Sequence, residues 1–101
     1  IYKYNIMDIL NEFKPELLMI SSGFDAHVND PLGGLMFEEN HYYLITQLLV
    51  DISNKYCDGK IISCLEGGYN IDALCRCVIK HCVGLLSDIP YSNKCWTRPM
   101  L

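Results

Sequence analysis

Two short stretches carry side chains suited to chemistry. The first, SSGFDAHVNDPLGG at positions 21–34, gathers Asp25, His27 and Asp30 among glycines and a proline. The second, EGGYN at 66–70, sets Tyr69 behind Gly67 and Gly68. A carboxylate placed like Asp25, beside Gly23, either bonds nearby backbone amides as a turn residue or serves as an oxygen ligand, which suits zinc when nitrogen ligands accompany it. Calcium is a poor fit, because DAHVNDPLGGLM lacks the EF-hand glycine at position six and the terminal Glu. In an extended Asp-x-His both side chains point to one side and can pair on a metal; otherwise a loop histidine is a hydrogen-bonded or solvated group, and His27 is read that way. Asp30 before Pro31 reads as turn chemistry, with Gly33 and Gly34 finishing the bend.

In the second stretch, Gly67 and Gly68 let a backbone pass close to a ligand or take a tight turn. No G-x-G-x-x-G and no G-K-[ST] accompanies them, which excludes the dinucleotide and P-loop fingerprints. Tyr69 either stands as an interface aromatic with its hydroxyl in water or donates a hydrogen bond to charge developing on a carbonyl oxygen. Glu66 reads as a cap, a surface charge or the partner of a basic group.

The elements around these loops follow from periodicity. Ile6, Ile9, Leu10 and Phe13 form a helical stripe that Pro15 stops. LLMIS at 17–21 is a continuous apolar run, expected of a strand covered on both faces. Ile45, Leu48, Leu49, Ile52 and Tyr56 predict a helix within 39–56, ended by CDGK, and KIISCL at 60–65 predicts the next buried strand. Asn70 is placed to cap a third helix supported by Ile71, Leu74, Val78 and Leu85, with Gly84 weakening its end. The tail from Ser87 has no clear period. Helix, strand, helix, strand, helix is an α/β pattern, and a crossover helix makes the strands parallel. Both loops then leave the same sheet edge, where open α/β folds bind ligands. Two strands cannot make a doubly covered sheet, so further strands are expected elsewhere.

Bulk composition sets the outer bounds. The 101 residues make one domain or part of one; half are hydrophobic, a fifth are charged, and the net charge is −4. That balance is too apolar for disorder. It offers no basic face for general nucleic-acid binding, and no run suits a membrane span. It is apolar for so small a domain, as if more chain covered some of it. The opening IYKYNIMDIL lacks an initiator Met, which also gives the expectation of a segment cut from something longer. The six cysteines (57, 64, 75, 77, 82 and 95) include no C-x-x-C pair and read as reduced, mostly buried small hydrophobes of a cytosolic or nuclear protein.

Read together, PELLMISSGFDAHVNDPLGGL and IISCLEGGYNIDAL resemble the C-terminal part of the catalytic domain of zinc-dependent histone deacetylases, specifically the class II branch. The resemblance runs from about residue 13 to about residue 86, and it casts residues 1–101 as a C-terminal fragment of that domain. It implies an α/β fold of the arginase/deacetylase type, a parallel sheet with flanking helices, present only in part. By the same resemblance Asp25 matches the third zinc ligand, and Tyr69 matches the tyrosine that stabilises the oxyanion. Gly67 and Gly68 match the glycines beside the narrow acetyl-lysine tunnel, and Leu32 matches a tunnel-rim position. His27 and Asp30 match common class II residues that do not bind zinc. One class II subgroup has histidine in place of the tyrosine and is weakly active, so Tyr69 favours a competent enzyme.

The implied reaction is zinc-dependent hydrolysis of acetyl-lysine in histones or other proteins. The family's adjacent histidine pair and its Asp-x-His ligands have no counterpart among His27, His41 and His81, so the isolated fragment is expected to be inactive. The resemblance further implies as partners an acetylated histone or other protein substrate, the upstream part of the same domain and corepressor-type proteins, with no direct nucleic acid and no membrane. It implies a role in chromatin regulation in the nucleus or cytoplasm. Two alternatives stand beside it: a deacetylase of acetylpolyamines or other small acetylated amines, and a catalytically silent binding module of the same fold.

Overall fold

The computed structural model describes residues 2–87. A π-helical turn over Tyr2–Ile6 runs into α1 (Met7–Phe13). Helix α1 ends where Lys14 turns left-handed, at φ 54°, just before the buried Pro15. Strand β1 (Leu18–Ser22), helix α2 (Glu39–Tyr56), strand β2 (Ile61–Leu65) and helix α3 (Ile71–Leu85) follow. Asp58 and Gly59, both at positive φ, turn the chain from α2 into β2. The strands pair in parallel, with Leu18 opposite Ile61 and Ser22 opposite Leu65, as a strand–helix–strand crossover requires. The fold is thus the α/β class expected, present as a small parallel sheet with helices.

Apolar packing forms two clusters. Met7 packs with Leu48 and Ile52 to hold α1 on α2, helped by Leu10, Leu44 and Tyr56. Phe24, Tyr42 and Cys77 form the second cluster, joined by Ala26, Phe37, Leu74 and Val78, and it lies directly beneath the 21–34 loop. The Phe24 and Tyr42 rings sit 5.0 Å apart in a tilted arrangement, a geometry that adds about 0.5–1.5 kcal/mol to the area they bury. Helices α2 and α3 pack closely along their length.

Several expectations are corrected. The α1 stripe is mostly outside: Ile9 and Phe13 are exposed and only Met7 is fully buried, because the helix turns its Met7–Leu10 side to α2. The strands are not covered on both faces. Met19 and its register partner Ile62 share a face and are both exposed, and most of β2 is open. Of the cysteines, Cys57 and Cys77 are buried, whereas Cys64, Cys75 and Cys82 are exposed free thiols; Cys95 lies outside the described residues, as does nearly all of the 87–101 tail. In α3 the buried side is Ala73, Cys77, His81 and Gly84, while Ile71 is exposed. Gly84 is there for contact rather than as a weak point: a Cβ would stand 2.9 Å from Thr46 Cβ and Cγ2, so a side chain would force α3 off α2.

That close approach lets His81, on α3, reach three other elements. Thr46 Oγ1 donates to Tyr42 O at 2.6 Å, which uses its only proton, so His81 Nδ1–H donates to Thr46 Oγ1 at 2.7 Å. The neutral ring then leaves Nε2 as acceptor for the Ser63 hydroxyl, 2.8 Å away. Ser22 closes the set by hydrogen-bonding Ser63, with its Oγ 3.4 Å from Nε2. One buried imidazole thereby ties α2, α3, β1 and β2 together.

Burial holds the His81 pKa below the ordinary histidine value. The unfolded chain therefore takes up a proton at higher pH than the folded one. The stabilisation is fully present above about pH 6.5 and is lost progressively as pH falls toward the lower folded value. Urea unfolding followed by far-ultraviolet circular dichroism is expected to show lower stability at pH 5 than at pH 7.5, with a smaller difference in His81→Gln.

Candidate functional site at the carboxyl ends of the strands

The parallel ladder continues past both strands. Glu66 N–H donates to Ser22 O at 3.0 Å and Phe24 N–H donates to Gly67 O at 2.8 Å. The two loops singled out by the sequence are therefore laid side by side at one sheet edge. Phe24, 4% exposed, turns inward and anchors the first loop, while Asp25 stays half-buried at the seam.

Asp25 occupies space that glycines leave open. A Cβ on Gly67 would lie 2.8 Å from Asp25 Oδ2, and one on Gly23 would lie 3.0 Å from Oδ1. A Cβ on Gly33 would lie only 1.6 Å from the Asp25 carbonyl oxygen. Gly23 and Gly67, one from each loop, thus cradle this carboxylate, while Gly33 packs on the Asp25 main chain. Gly68 is constrained differently: its φ is +135°, and a Cβ would press on Leu74 at 2.8 Å and Phe24 at 3.3 Å. Sequence reasoning brought Asp25, Gly67 and Gly68 to this edge, and the structure brings Gly67 against the Asp25 carboxylate.

Tyr69 and Leu32 stand at the outer side, 55% and 72% exposed. Their backbones meet at Asp30, a residue read from the sequence as a turn former. Its Oδ1 accepts from Leu32 N–H at 2.8 Å and Gly33 N–H at 3.0 Å, as a turn carboxylate does. Its Oδ2 accepts from Tyr69 N–H at 2.8 Å, across to the other loop. Burial on its own raises the Asp30 pKa, but the Tyr69, Leu32 and Gly33 amides and the nearby His27 outweigh it and hold the group below the ordinary carboxylate value. The cross-loop bond has no local sequence signal. The inward turn of Phe24, by contrast, is what an aromatic between glycine and aspartate offers.

The three histidines have structural work. His27 is 2% exposed. Its Nδ1 accepts from Asn29 N–H at 3.0 Å, and its Nε2 lies 3.3 Å from Glu39 Oε1. The segment turns at Asp25 and Ala26 rather than extending, so the extended Asp-x-His pairing does not occur. Arg76 Nε donates to the same Glu39 oxygen, and mainly that bond draws the Glu39 pKa down to about 2. His41 Nδ1 accepts from Glu38 N–H at 2.8 Å at the start of α2. His81 serves the buried network described above. Glu66 is exposed and joins the ladder through its backbone. Among the described residues no three His, Cys, Asp or Glu side chains converge as a metal site.

Comparison with known proteins gives a consistent set of relatives. The family model described as "Histone deacetylase domain" matches residues 1–85. Type-2 histone deacetylase 1 of Dictyostelium discoideum is 47% identical over 83 residues, which are 82% of this chain and 6% of that protein. Histone deacetylase 14, chloroplastic, of Arabidopsis thaliana is 33% identical over 88 residues, 87% of this chain and 21% of that protein. Among solved structures, the HDA15 HD domain superposes with a TM-score of 0.78 at 34% identity, covering 88% of this chain and 24% of that one. The histone deacetylase Clr3 superposes with a TM-score of 0.79 at 30% identity, covering 99% of this chain and 16% of that one. The chain therefore spans at most 24% of the length of any of these four.

The close approach of Gly33 to the Asp25 main chain allows a direct test of packing at the edge. Gly33→Ala is expected to destabilise the fold by at least about 2 kcal/mol, because its methyl meets backbone that cannot yield. Gly34→Ala meets nothing within 4 Å and strains only a φ of +66°, so about 1 kcal/mol is expected there. Urea midpoints of the two variants rank them.

Proposed function

The chain belongs to the histone deacetylase family, and on that footing we propose that residues 1–101 form the C-terminal portion of a deacetylase catalytic domain, to which they contribute Asp25, Tyr69, Leu32, Gly67 and Gly68. The observation that carries this reading is the Asp25 carboxylate seated between Gly23 and Gly67, at the seam where the Tyr69 loop runs alongside. The open sheet face bearing Met19 and Ile62 supports a domain in which further elements cover this one. The type-2 name of the Dictyostelium relative supports the class II assignment.

The residues fit a zinc ion as one carboxylate ligand, Asp25, with the other ligands drawn from elsewhere in the domain. When bound, zinc polarises the acetyl carbonyl and lowers the pKa of a water. The Tyr69 phenol, at an exposed position, donates a hydrogen bond to the carbonyl oxygen and strengthens it as negative charge grows there. Gly67 and Gly68 keep the backbone close to the acetyl-lysine slot, where side chains would intrude. Leu32 offers an apolar surface at the rim for the methylenes of the lysine. None of the histidines serves as proton carrier, because His27, His41 and His81 are each committed to the contacts given above. The base comes from the preceding part of the domain, and these residues alone are inactive. Substrates are acetylated histones or other acetylated proteins in the nucleus or cytoplasm, with corepressor-type proteins as further partners.

Deacetylation of an acetyl-lysine peptide by the intact parent polypeptide tests this reading. Tyr69→Phe is expected to lower kcat by about a hundred- to a thousandfold with zinc content unchanged, whereas Asp25→Ala is expected to lose zinc by elemental analysis. A zinc-loaded parent that ignores peptides but hydrolyses acetylpolyamines would transfer the function to small acetylated amines. One inactive on both would make it a binding module.

A further inference from the structure

Asp30 does more than its turn requires. The turn over Leu32 and Gly33 uses only Oδ1, and an asparagine would satisfy it equally. The second oxygen is spent on Tyr69 N–H, 39 positions away in sequence. Both oxygens are used inside a side chain that is 9% exposed, and amide bonds to a carboxylate are roughly twice as strong as neutral ones. Around Tyr69 the main chain is fixed at successive residues. Gly68 is wedged under Phe24 and Leu74, Tyr69 is tied to Asp30, and Asn70 both donates to Asn29 O and caps α3 at Ala73. The Tyr69 side chain itself is more than half exposed, so packing does not aim the phenol. Its position is set through its main chain.

We propose that Asp30 is a positioning residue for Tyr69, its carboxylate bridging the Leu32 turn and the Tyr69 amide so that the phenol and the rim of the slot keep a fixed spacing. This role rests on the reading of Tyr69 as the oxyanion donor. In this role Asp30 acts on the reaction through Tyr69, while its other oxygen keeps the Leu32 turn. A group displaced by as little as 1 Å can lose about a hundredfold in rate, so the bond has leverage without being part of the chemistry.

Asp30→Asn separates the two duties of the side chain. The amide oxygen can keep the Leu32 and Gly33 bonds, while the NH2 group then faces Tyr69 N–H, donor against donor. In the intact zinc-loaded polypeptide, kcat on an acetyl-lysine peptide is expected to fall by about tenfold to a hundredfold, with KM and zinc content nearly unchanged. In a Tyr69→Phe background the same substitution is expected to cost less than about twofold, since two changes acting through one hydroxyl do not add. Amide hydrogen exchange at Tyr69 is expected to be slow in the unmodified protein and to quicken in Asp30→Asn.

An unprotected Tyr69 amide in the unmodified protein overturns the tether whatever the variants do. An equal loss with and without the Tyr69 hydroxyl overturns the positioning role and makes Asp30 merely structural. A protected amide in a zinc-loaded protein inactive on every acetylated amine overturns the catalytic reading of Tyr69, and the role with it, while leaving the tether as a fact of the fold.

Discussion

The strand-end edge depends on two backbone hydrogen bonds that carry the parallel ladder beyond its strands. Ser22 O and Gly67 O accept from Glu66 and Phe24, one on each side of the seam. Strands that parted at Ser22 and Leu65 would leave two independent loops, each free to turn away. Continued pairing holds those loops at ladder spacing instead, and at that spacing a carboxylate of one loop can touch the backbone of the other. The glycine at 67 follows from this constraint. The ladder fixes how close the chains come, and the Asp25 carboxylate then takes the volume that a Cβ would need.

What holds the ladder in place is a mixture of apolar and polar burial. Phe24 sinks into the Tyr42–Cys77 cluster and drags the first loop inward. Its ring also meets the edge of the His81 imidazole, 5.7 Å between centroids. His81 in turn grips Ser22, the last residue of β1, and Ser63 in the middle of β2. A leucine at 81 would bury more apolar surface but would remove the group that links the Ser22–Ser63 hydroxyl pair to Thr46. The polar centre gives the strands a defined relation to both helices.

Much of this architecture was legible in the residues. The stripe Ile45, Leu48, Leu49, Ile52 and Tyr56 marked α2, Asn70 marked the cap of α3, and the intervening helix required parallel strands. These are local or periodic signals, and local chemistry decides them. The joining of the two loops at one edge followed from topology. The remainder depended on contacts between distant segments. Nothing near Asp30 announces that its second oxygen belongs to Tyr69, and nothing near Gly84 announces that Thr46 fills its place. The cysteines misled for a related reason. Hydrophobicity puts most of them inside, whereas Cys64, Cys75 and Cys82 are exposed.

The Gly84–Thr46 contact has a consequence for how these sequences can vary. The threonine methyl sits where a residue-84 side chain would go, while the threonine hydroxyl is bound to His81 and Tyr42. The two positions therefore share one volume, which position 46 already fills. Serine at 46 would surrender the methyl and retain the hydroxyl, but its Cβ would still stand 2.9 Å from a residue-84 Cβ, so a side chain at 84 would move the helices apart even then. Glycine at 84 is thus held by the helix spacing itself, whether threonine or serine stands at 46.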